Sequence, residues 1–433
     1  MHNNDGIENG PVNAAGPQPL DWDTFPHPPA RSERTPGTIE NMRHILAGYS
    51  VEVCYDVIGK KLRITCPLWA DKKLCNEDQT AMAYIVSLAA LNRFPRELVE
   101  TYVSTIADEQ AYNPVKDWIL SQPWDGVDRL PDICRTMKTA EAFPNELKIL
   151  LLWKWLLSAV AAALLERGFR TRGVLVLQGA QGIGKTNWTS RLVPPQLQPS
   201  FIKIDHQLDP TNKDSILSAT AHWICEIGEL EGSLRKEIAR LKGMITRSAD
   251  KVRKPYAKIE TDMPRRTVFV ATVNDSKFLI DDTGNSRWWT IPLVGIDFEH
   301  DIDMQQLFAQ LAVQLEEGVE WWLTAEEEAQ LEDHNRSHRS ISMVEDLVLD
   351  ALELDRVGDE DLPLATPREL LITLGIAQPT NPQCKECAGV LRNYVGESKR
   401  IQGRDKWRLP LTHARAQDFK DSRPSRYDSS KFD

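Results

Sequence analysis

The sequence predicts an α/β protein built on a parallel sheet, and three observations carry that expectation. Short apolar runs read as strands at Val174–Leu177, His222–Cys225 and Thr267–Thr272, with helical patterns between them. Strands that alternate with helices return to one sheet in parallel, with helices covering both faces. Residues 173–186 then read GVLVLQGAQGIGKT, in which the first strand breaks into Gly179-Ala180-Gln181-Gly182-Ile183-Gly184-Lys185-Thr186. This matches G-x-x-x-x-G-K-[ST] at every position, between a strand and the start of a helix from Asn187 to Leu192. At 433 residues the chain exceeds one ordinary core, so two or three domains are expected.

Residues 1–38 hold Pro, Gly and Asn with few large apolar side chains and are expected to form a disordered tail. Residues 39–145 read as an N-terminal α+β region for accessory or oligomerisation contacts. There Val51–Val57 and Lys61–Thr65 alternate across Gly59 as a hairpin, and Ala81–Leu91 reads as a helix. Asn113–Trp118 starts another helix, Pro123-Trp124-Asp125-Gly126 makes a turn, and a long apolar helix runs from Asn145 to Arg167. The core domain spans 146–335 and ends in one or two amphipathic helices over 304–334. Residues 340–411 form a separate small domain. Helices over Met343–Leu354, from Thr366, and over Pro382–Val395 precede a hairpin at Arg400–Leu409, which is a winged-helix pattern. Residues 412–433 are expected to be a polar tail.

Net charge is −11, which excludes a uniformly basic coat for nucleic acid. The charge is uneven, however. Between Arg235 and Arg266 stand 11 Lys/Arg against 4 Asp/Glu, a basic island in an acidic chain. The seven cysteines lack framework spacing, which points to reduced thiols and a cytoplasmic location. Cys384-Lys385-Glu386-Cys387 has no second ligand pair, so no zinc site is expected. The N-terminus lacks a signal-type apolar core, and Lys148 and Lys154 interrupt the most apolar helix, so no membrane partner is expected.

The residues that carry chemistry follow in order. Small residues let the backbone N–H groups of Gly179, Gln181, Gly182, Ile183, Gly184, Lys185, Thr186 and Asn187 turn around the phosphates of a nucleoside triphosphate. Lys185 supplies charge to those phosphates and Thr186 a hydroxyl ligand for Mg²⁺. The next strand ends in Glu226-Ile227-Gly228-Glu229. Carboxylates at the end of a neighbouring strand can hold hydrated Mg²⁺ and polarise water. Glu226 is assigned to the metal and Glu229 to the water, with the reverse as the alternative. Thr267–Asn274 is a further strand ending in an amide, and Asn274 either orients water or merely opens a turn. Gly284-Asn285-Ser286-Arg287 precedes a Trp pair. Arg287 is then an arginine finger aimed into a neighbouring subunit, or a guanidinium stacked on Trp288 or Trp289. Lys251, Arg253, Lys254, Tyr256 and Lys258 concentrate charge and one aromatic face, suited to phosphates and a stacked base of single-stranded DNA. A solvated loop with Tyr256 in the core is the alternative. The basic hairpin at Arg400, Arg404, Lys406 and Arg408 meets either duplex DNA or a protein partner.

Taken together, these segments resemble the virulence-associated E family, phage- and island-encoded P-loop ATPases related to superfamily 3 helicases. The resemblance rests on Pro123–Leu130, Gly179–Thr186, Glu226-Ile227-Gly228-Glu229-Leu230, Arg253-Lys254-Pro255-Tyr256, Ala271–Asn274 and Gly284–Trp288. It implies an AAA+-like core that forms a ring, expected to be a hexamer, and moves on single-stranded DNA during replication of a mobile element. ATP and Mg²⁺ are the cofactors it implies, and the bacterial host cytoplasm the location. The family's Gly-Asn-Arg-Arg segment has Ser286 in place of the first Arg. Arg287 is then the candidate finger there, with Arg253 as its competitor. Residues ahead of Asn113 show no set of carboxylates and zinc ligands for priming, so a primase or replication protein is an expected partner. Two activities follow as alternatives, a DNA helicase with ATPase activity or an ATP-switched loader or regulator without processive unwinding.

Overall fold

The computed structural model describes residues 16–30, 33–66, 77–228, 243–245, 247–252, 261–274, 285–336, 343–359 and 361–421. It divides into two compact units, Met1–His338 and Arg339–Asp433.

The first unit opens with a small α+β layer. Strands β1 (Glu52–Asp56) and β2 (Lys61–Thr65) pair antiparallel, and β3 (Ala111–Tyr112) adds to β1 in parallel. The turn between β1 and β2 is set by Asp56, whose Oδ1 accepts from the N–H groups of Ile58 and Gly59 at 2.9 Å each. Helices Ile39–Gly48, Glu77–Leu91 and Val99–Glu109 close over this sheet around buried Met42, Ile45, Val53, Ile85, Leu88 and Val103.

The expected disorder of 1–38 needs correction. Residues 1–15 lie outside the described set, but 16–30 and 33–38 are laid against this layer. Phe25 is buried and Leu20 packs on the same core. Thr35 Oγ1 donates to Asn92 O at 2.6 Å, and Asn92 Oδ1 accepts from Leu20 N at 2.8 Å. A Pro-rich segment needs only a few apolar anchors and satisfied backbone groups to stay in place.

The centre of the unit is a six-stranded sheet in the order β4-β11-β5-β10-β7-β6. Its strands are β4 (Met137–Thr139), β5 (Val174–Gln178), β6 (Ile202–His206), β7 (Ile224–Ile227), β10 (Val268–Val273) and β11 (Trp288–Ile296); β8 (Ala249–Val252) and β9 (Thr261–Pro264) form a separate antiparallel hairpin. All sheet neighbours are parallel except β4, which runs antiparallel to β11. The three expected strands are present. β6 and β11 are additions, the first a partly exposed edge and the second starting at the Trp pair that reads as a turn flank.

Because strand side chains alternate, β5 is buried on both faces. Leu175 and Leu177 face the core of helix Asn145–Leu164, with Trp155, Trp223 and Phe308; Val174 and Val176 face Cys225, Phe269, Met244 and Ile245. Trp155 Nε1 donates to Phe269 O and Trp223 Nε1 to Ala159 O, each at 2.8 Å, so both indoles are buried without losing a hydrogen bond. Helix Asn145–Leu164 is long and apolar enough to cross a membrane by length and composition, yet it lies mostly inside this core. Its buried lysines are satisfied by carbonyls, Lys148 Nζ by Met137 O at 3.0 Å and Lys154 Nζ by Glu320 O at 2.7 Å.

The segment Pro123–Leu130 is a structural tie. Arg129 grips Asp125 through two hydrogen bonds of 2.7 Å, holding the Asp125 carboxyl down at about 2. Gln306 and Gln310 of helix Met304–Glu316 accept from the N–H groups of Asp125 and Arg129.

The second unit has helices Met343–Asp350, Pro367–Thr373 and Asn381–Tyr394. A three-stranded sheet joins them, in the order β12 (Leu364–Ala365), β14 (Arg404–Arg408), β13 (Lys399–Ile401). Thr366 with Glu369, and Thr380 with Gln383, form capping boxes that start two of the helices. The polar tail expected from 412 also needs correction, because His413–Asp421 is a helix that buries Phe419 in this unit's core. A single large apolar side chain is enough to dock an otherwise polar helix.

Candidate functional site

The Gly179–Gly184 loop leaves the C-terminal end of β5, the edge of a parallel sheet where ligand crevices form. Gly179 N donates to Val273 O at 3.0 Å, which ties the loop to the end of β10. Gly182 and Gly184 have φ of +84° and +98°, conformations that L side chains rarely adopt. At Gly184 a Cβ would also strike Phe298. Helix Lys185–Arg191 starts directly after it.

Four expected residues come together at this edge. Lys185 is 7% exposed, and its Nζ donates to Gly179 O at 2.7 Å, Ala180 O at 2.9 Å and Asn274 Oδ1 at 3.0 Å. Thr186 Oγ1 donates to Glu226 Oε1 at 2.6 Å. Glu226 lies within β7 and is 1% exposed. Burial raises its carboxyl above the usual range, against the lowering effect of hydrogen bonds from Thr186, Asp205 N–H and Thr272. Lys185, Thr186 and Asn274 border a cavity of about 720 Å³, also lined by Gln181, Gly182, Gly184 and Asn187, and Glu226 adjoins it through the hydrogen bond from Thr186. That size suits a small ligand with several polar groups. Ile183 and Gly179 contribute differently. The Ile183 side chain packs on the core, and a Cβ at Gly179 would meet Leu293 O.

Asp205 is a residue that sequence reasoning missed. It stands in β6 at φ +51°, lines the same cavity, and its N–H donates to Glu226 Oε2 at 3.3 Å. A non-glycine residue in that conformation stores strain, which is found where surroundings fix a group for use. The signal in the sequence was weak, since β6 reads Ile-Lys-Ile-Asp-His and lacks the continuous apolar run of the central strands.

Arg287 does not join this group. It closes the short helical turn Asn285–Arg287, and the next residue, Trp288, pairs with Val174 at the start of β5. The cavity lies past Gln178, five residues along, so Arg287 is about 16 Å away at the opposite edge. Glu229, Arg253, Lys254, Tyr256 and Lys258 lie outside the described residues, as does the Lys251 side chain. In sequence, 253–260 stands between the paired strands β8 and β9.

That hairpin is anchored at its base by a buried charge cluster. Asp250 accepts from Lys60 Nζ and Arg265 Nε at 2.8 Å and from Arg265 Nη2 at 2.5 Å. Burial pushes the Asp250 carboxyl up, but Arg265 and Lys60 outweigh it and hold the group below its ordinary range. Tyr55 Oη also reaches Met263 Sδ at 3.2 Å. The N-terminal layer thus fixes the hairpin through the β1–β2 turn.

Comparison with known proteins agrees with the motif reading at the level of family. Residues 119–340, just over half of the chain, match the model of the virulence-associated protein E-like domain. Curated protein sequences contain no match. Among solved structures, the apo structure of the NrS-1 C-terminal region is 13% identical with a TM-score of 0.38, covering 86% of this chain and 98% of that one. An A-form apo structure of the same region is 14% identical with a TM-score of 0.40, covering 86% and 99%. By the family match, the chain belongs to the virulence-associated protein E-like family.

Proposed function

We propose that this protein is a ring-forming, ATP-dependent helicase or translocase of a phage or mobile genetic element. It hydrolyses ATP to move on single-stranded DNA during replication in the bacterial host cytoplasm. The observation that carries the reading is the meeting of Lys185, Thr186 and Asn274 at one cavity on the C-terminal edge of a parallel sheet, with Glu226 hydrogen-bonded to Thr186. Residues 179–186 then act as a P-loop in an AAA+-like, superfamily 3 core. Their N–H groups and Lys185 hold the phosphates of ATP.

The donor set fits Mg²⁺, because a hydroxyl and a carboxylate, both hard oxygen ligands, stand 2.6 Å apart in Thr186 and Glu226. When bound, Mg²⁺ supplies charge neutralisation at the β- and γ-phosphate oxygens. Asp205 borders the space beside the phosphates, and Glu226 adjoins it through Thr186 and the Asp205 N–H. Glu229 and Asn274 are the candidates for orienting water. Arg287 serves a neighbouring subunit's site, a role that its place at the far edge of its own sheet supports; Arg253 is its competitor.

DNA contact is assigned to Lys251, Arg253, Lys254, Tyr256 and Lys258 around the β8–β9 connection. The second unit is read as a winged-helix-like domain, a reading supported by three helices and by β12 pairing with the β13–β14 hairpin. Its exposed Arg400 and Arg404 suit duplex DNA or a replication protein.

The test is ATP turnover with and without single-stranded DNA, together with displacement of a strand from a forked duplex. DNA-stimulated turnover with displacement supports a helicase. ATP binding with negligible turnover replaces it with an ATP-switched loader or regulator.

A further inference from the structure

A second cavity, of about 590 Å³, opens at the other edge of the sheet. Arg167, Arg170 and Arg172, on the segment entering β5, line it with Trp321, Trp322 and the base of the β8–β9 hairpin. All three arginines are exposed, and no salt bridge joins them to an acid among the described residues. Asp262 is the acid in the wall.

The two indoles are only partly buried. They stand edge to face with centroids 4.8 Å apart. The Arg172 guanidinium lies 5.9 Å from the Trp322 centroid, and Trp321 Nε1 donates to Arg170 O at 3.3 Å. Phe169 supports Trp321 from the core side, at 6.0 Å between centroids. The aromatic faces are therefore held from behind, beside cations that form no salt bridge among the described residues.

We propose that this cavity is a second nucleic-acid site, which seats a short stretch of single-stranded DNA with phosphates on the arginines and a base against Trp322. The chemistry is that of a single-strand platform, in which guanidinium groups track the backbone and an indole accepts any base. Its position fits a strand that leaves the β8–β9 connection along the hairpin's base, away from the ATP cavity. The inference rests on the single-strand reading above and adds a place that the basic segment alone does not supply.

The test uses the full-length protein and a fluorescein-labelled oligo-dT of about twenty nucleotides, followed by anisotropy over a range of salt. One variant combines Arg167→Gln, Arg170→Gln and Arg172→Gln, and another carries Trp322→Ala. Removal of three phosphate contacts is expected to weaken binding ~10-fold or more at low salt and to make the log–log salt slope shallower by about 2. Trp322→Ala is expected to weaken binding about 5-fold or more without changing the slope. ATP binding, measured in parallel, should be unchanged in both. Wild-type affinity in the arginine variant overturns the site, and so does an equal loss for duplex of the same length. Absence of single-strand binding by the wild type overturns the DNA reading as a whole, while retained ATP binding would leave the nucleotide cavity standing.

Discussion

Thr186 Oγ1 donates a 2.6 Å hydrogen bond to Glu226 Oε1, joining the helix that follows the glycine loop to the strand two places across the sheet. This contact sets a nearly inaccessible carboxylate directly against a hydroxyl that lines the cavity. If those oxygens hold Mg²⁺, Glu226→Gln should keep ATP binding and lose hydrolysis by ~10²-fold or more. Binding and turnover measured on the same preparation check this. Normal turnover in the variant would remove Glu226 from the chemistry.

The same carboxylate sets a pH dependence. Burial raises the Glu226 carboxyl in the folded state. Between its unfolded and folded values the native protein therefore binds more protons than the unfolded chain, and stability falls as pH rises. Gln carries no such charge. Glu226→Gln is therefore expected to raise the Tm of nucleotide-free protein at pH 8 more than at pH 5. A gain that is equal at both pH values, or larger at pH 5, would contradict the direction of the shift.

Arg287 sits at the edge of the sheet opposite its own cavity, so Arg287→Ala should cripple turnover through a neighbouring subunit. Mixing it with Lys185→Ala protein is expected to restore partial activity where an intact loop meets an intact finger. No recovery, with subunit exchange verified, would move the role to Arg253 or to a group within the same chain.

The Asp250 cluster has a structural consequence. Asp250→Ala would leave Lys60 and Arg265 buried beside each other without their anion, a change that costs about 3–5 kcal/mol. Thermal unfolding should show a clear fall in Tm. An unchanged Tm would mean that the β1–β2 turn does not anchor the hairpin.

Much of this arrangement is legible in the sequence, for physical reasons. Val174–Leu177 is a continuous apolar run because β5 is buried on both faces, and the glycines after it mark the turn to a helix. Glu226 and Asn274 end apolar runs, so both fall at the same sheet edge as Lys185. The illegible parts are those where local pattern and tertiary context part ways. β6 is an edge strand with polar alternates, which hid Asp205. β11 starts with Trp288-Trp289, where a Gly-Asn turn is the stronger local signal. Phe25 with Leu20, and Phe419 with Ala416, anchor otherwise polar segments, and so few apolar contacts leave no periodicity to read. The arginine–tryptophan cavity joins residues about 150 positions apart, a distance over which no spacing rule operates.

The most direct measurement is ATP binding and hydrolysis by the wild-type protein and by Lys185→Ala, with folding of both verified by circular dichroism. Lys185 faces the cavity mouth through contacts with Gly179, Ala180 and Asn274, and its loss should not disturb the sheet. The expected result is hydrolysis by the wild type and none by the folded variant. Full turnover by a folded Lys185→Ala protein would contradict the assignment of this cavity to ATP.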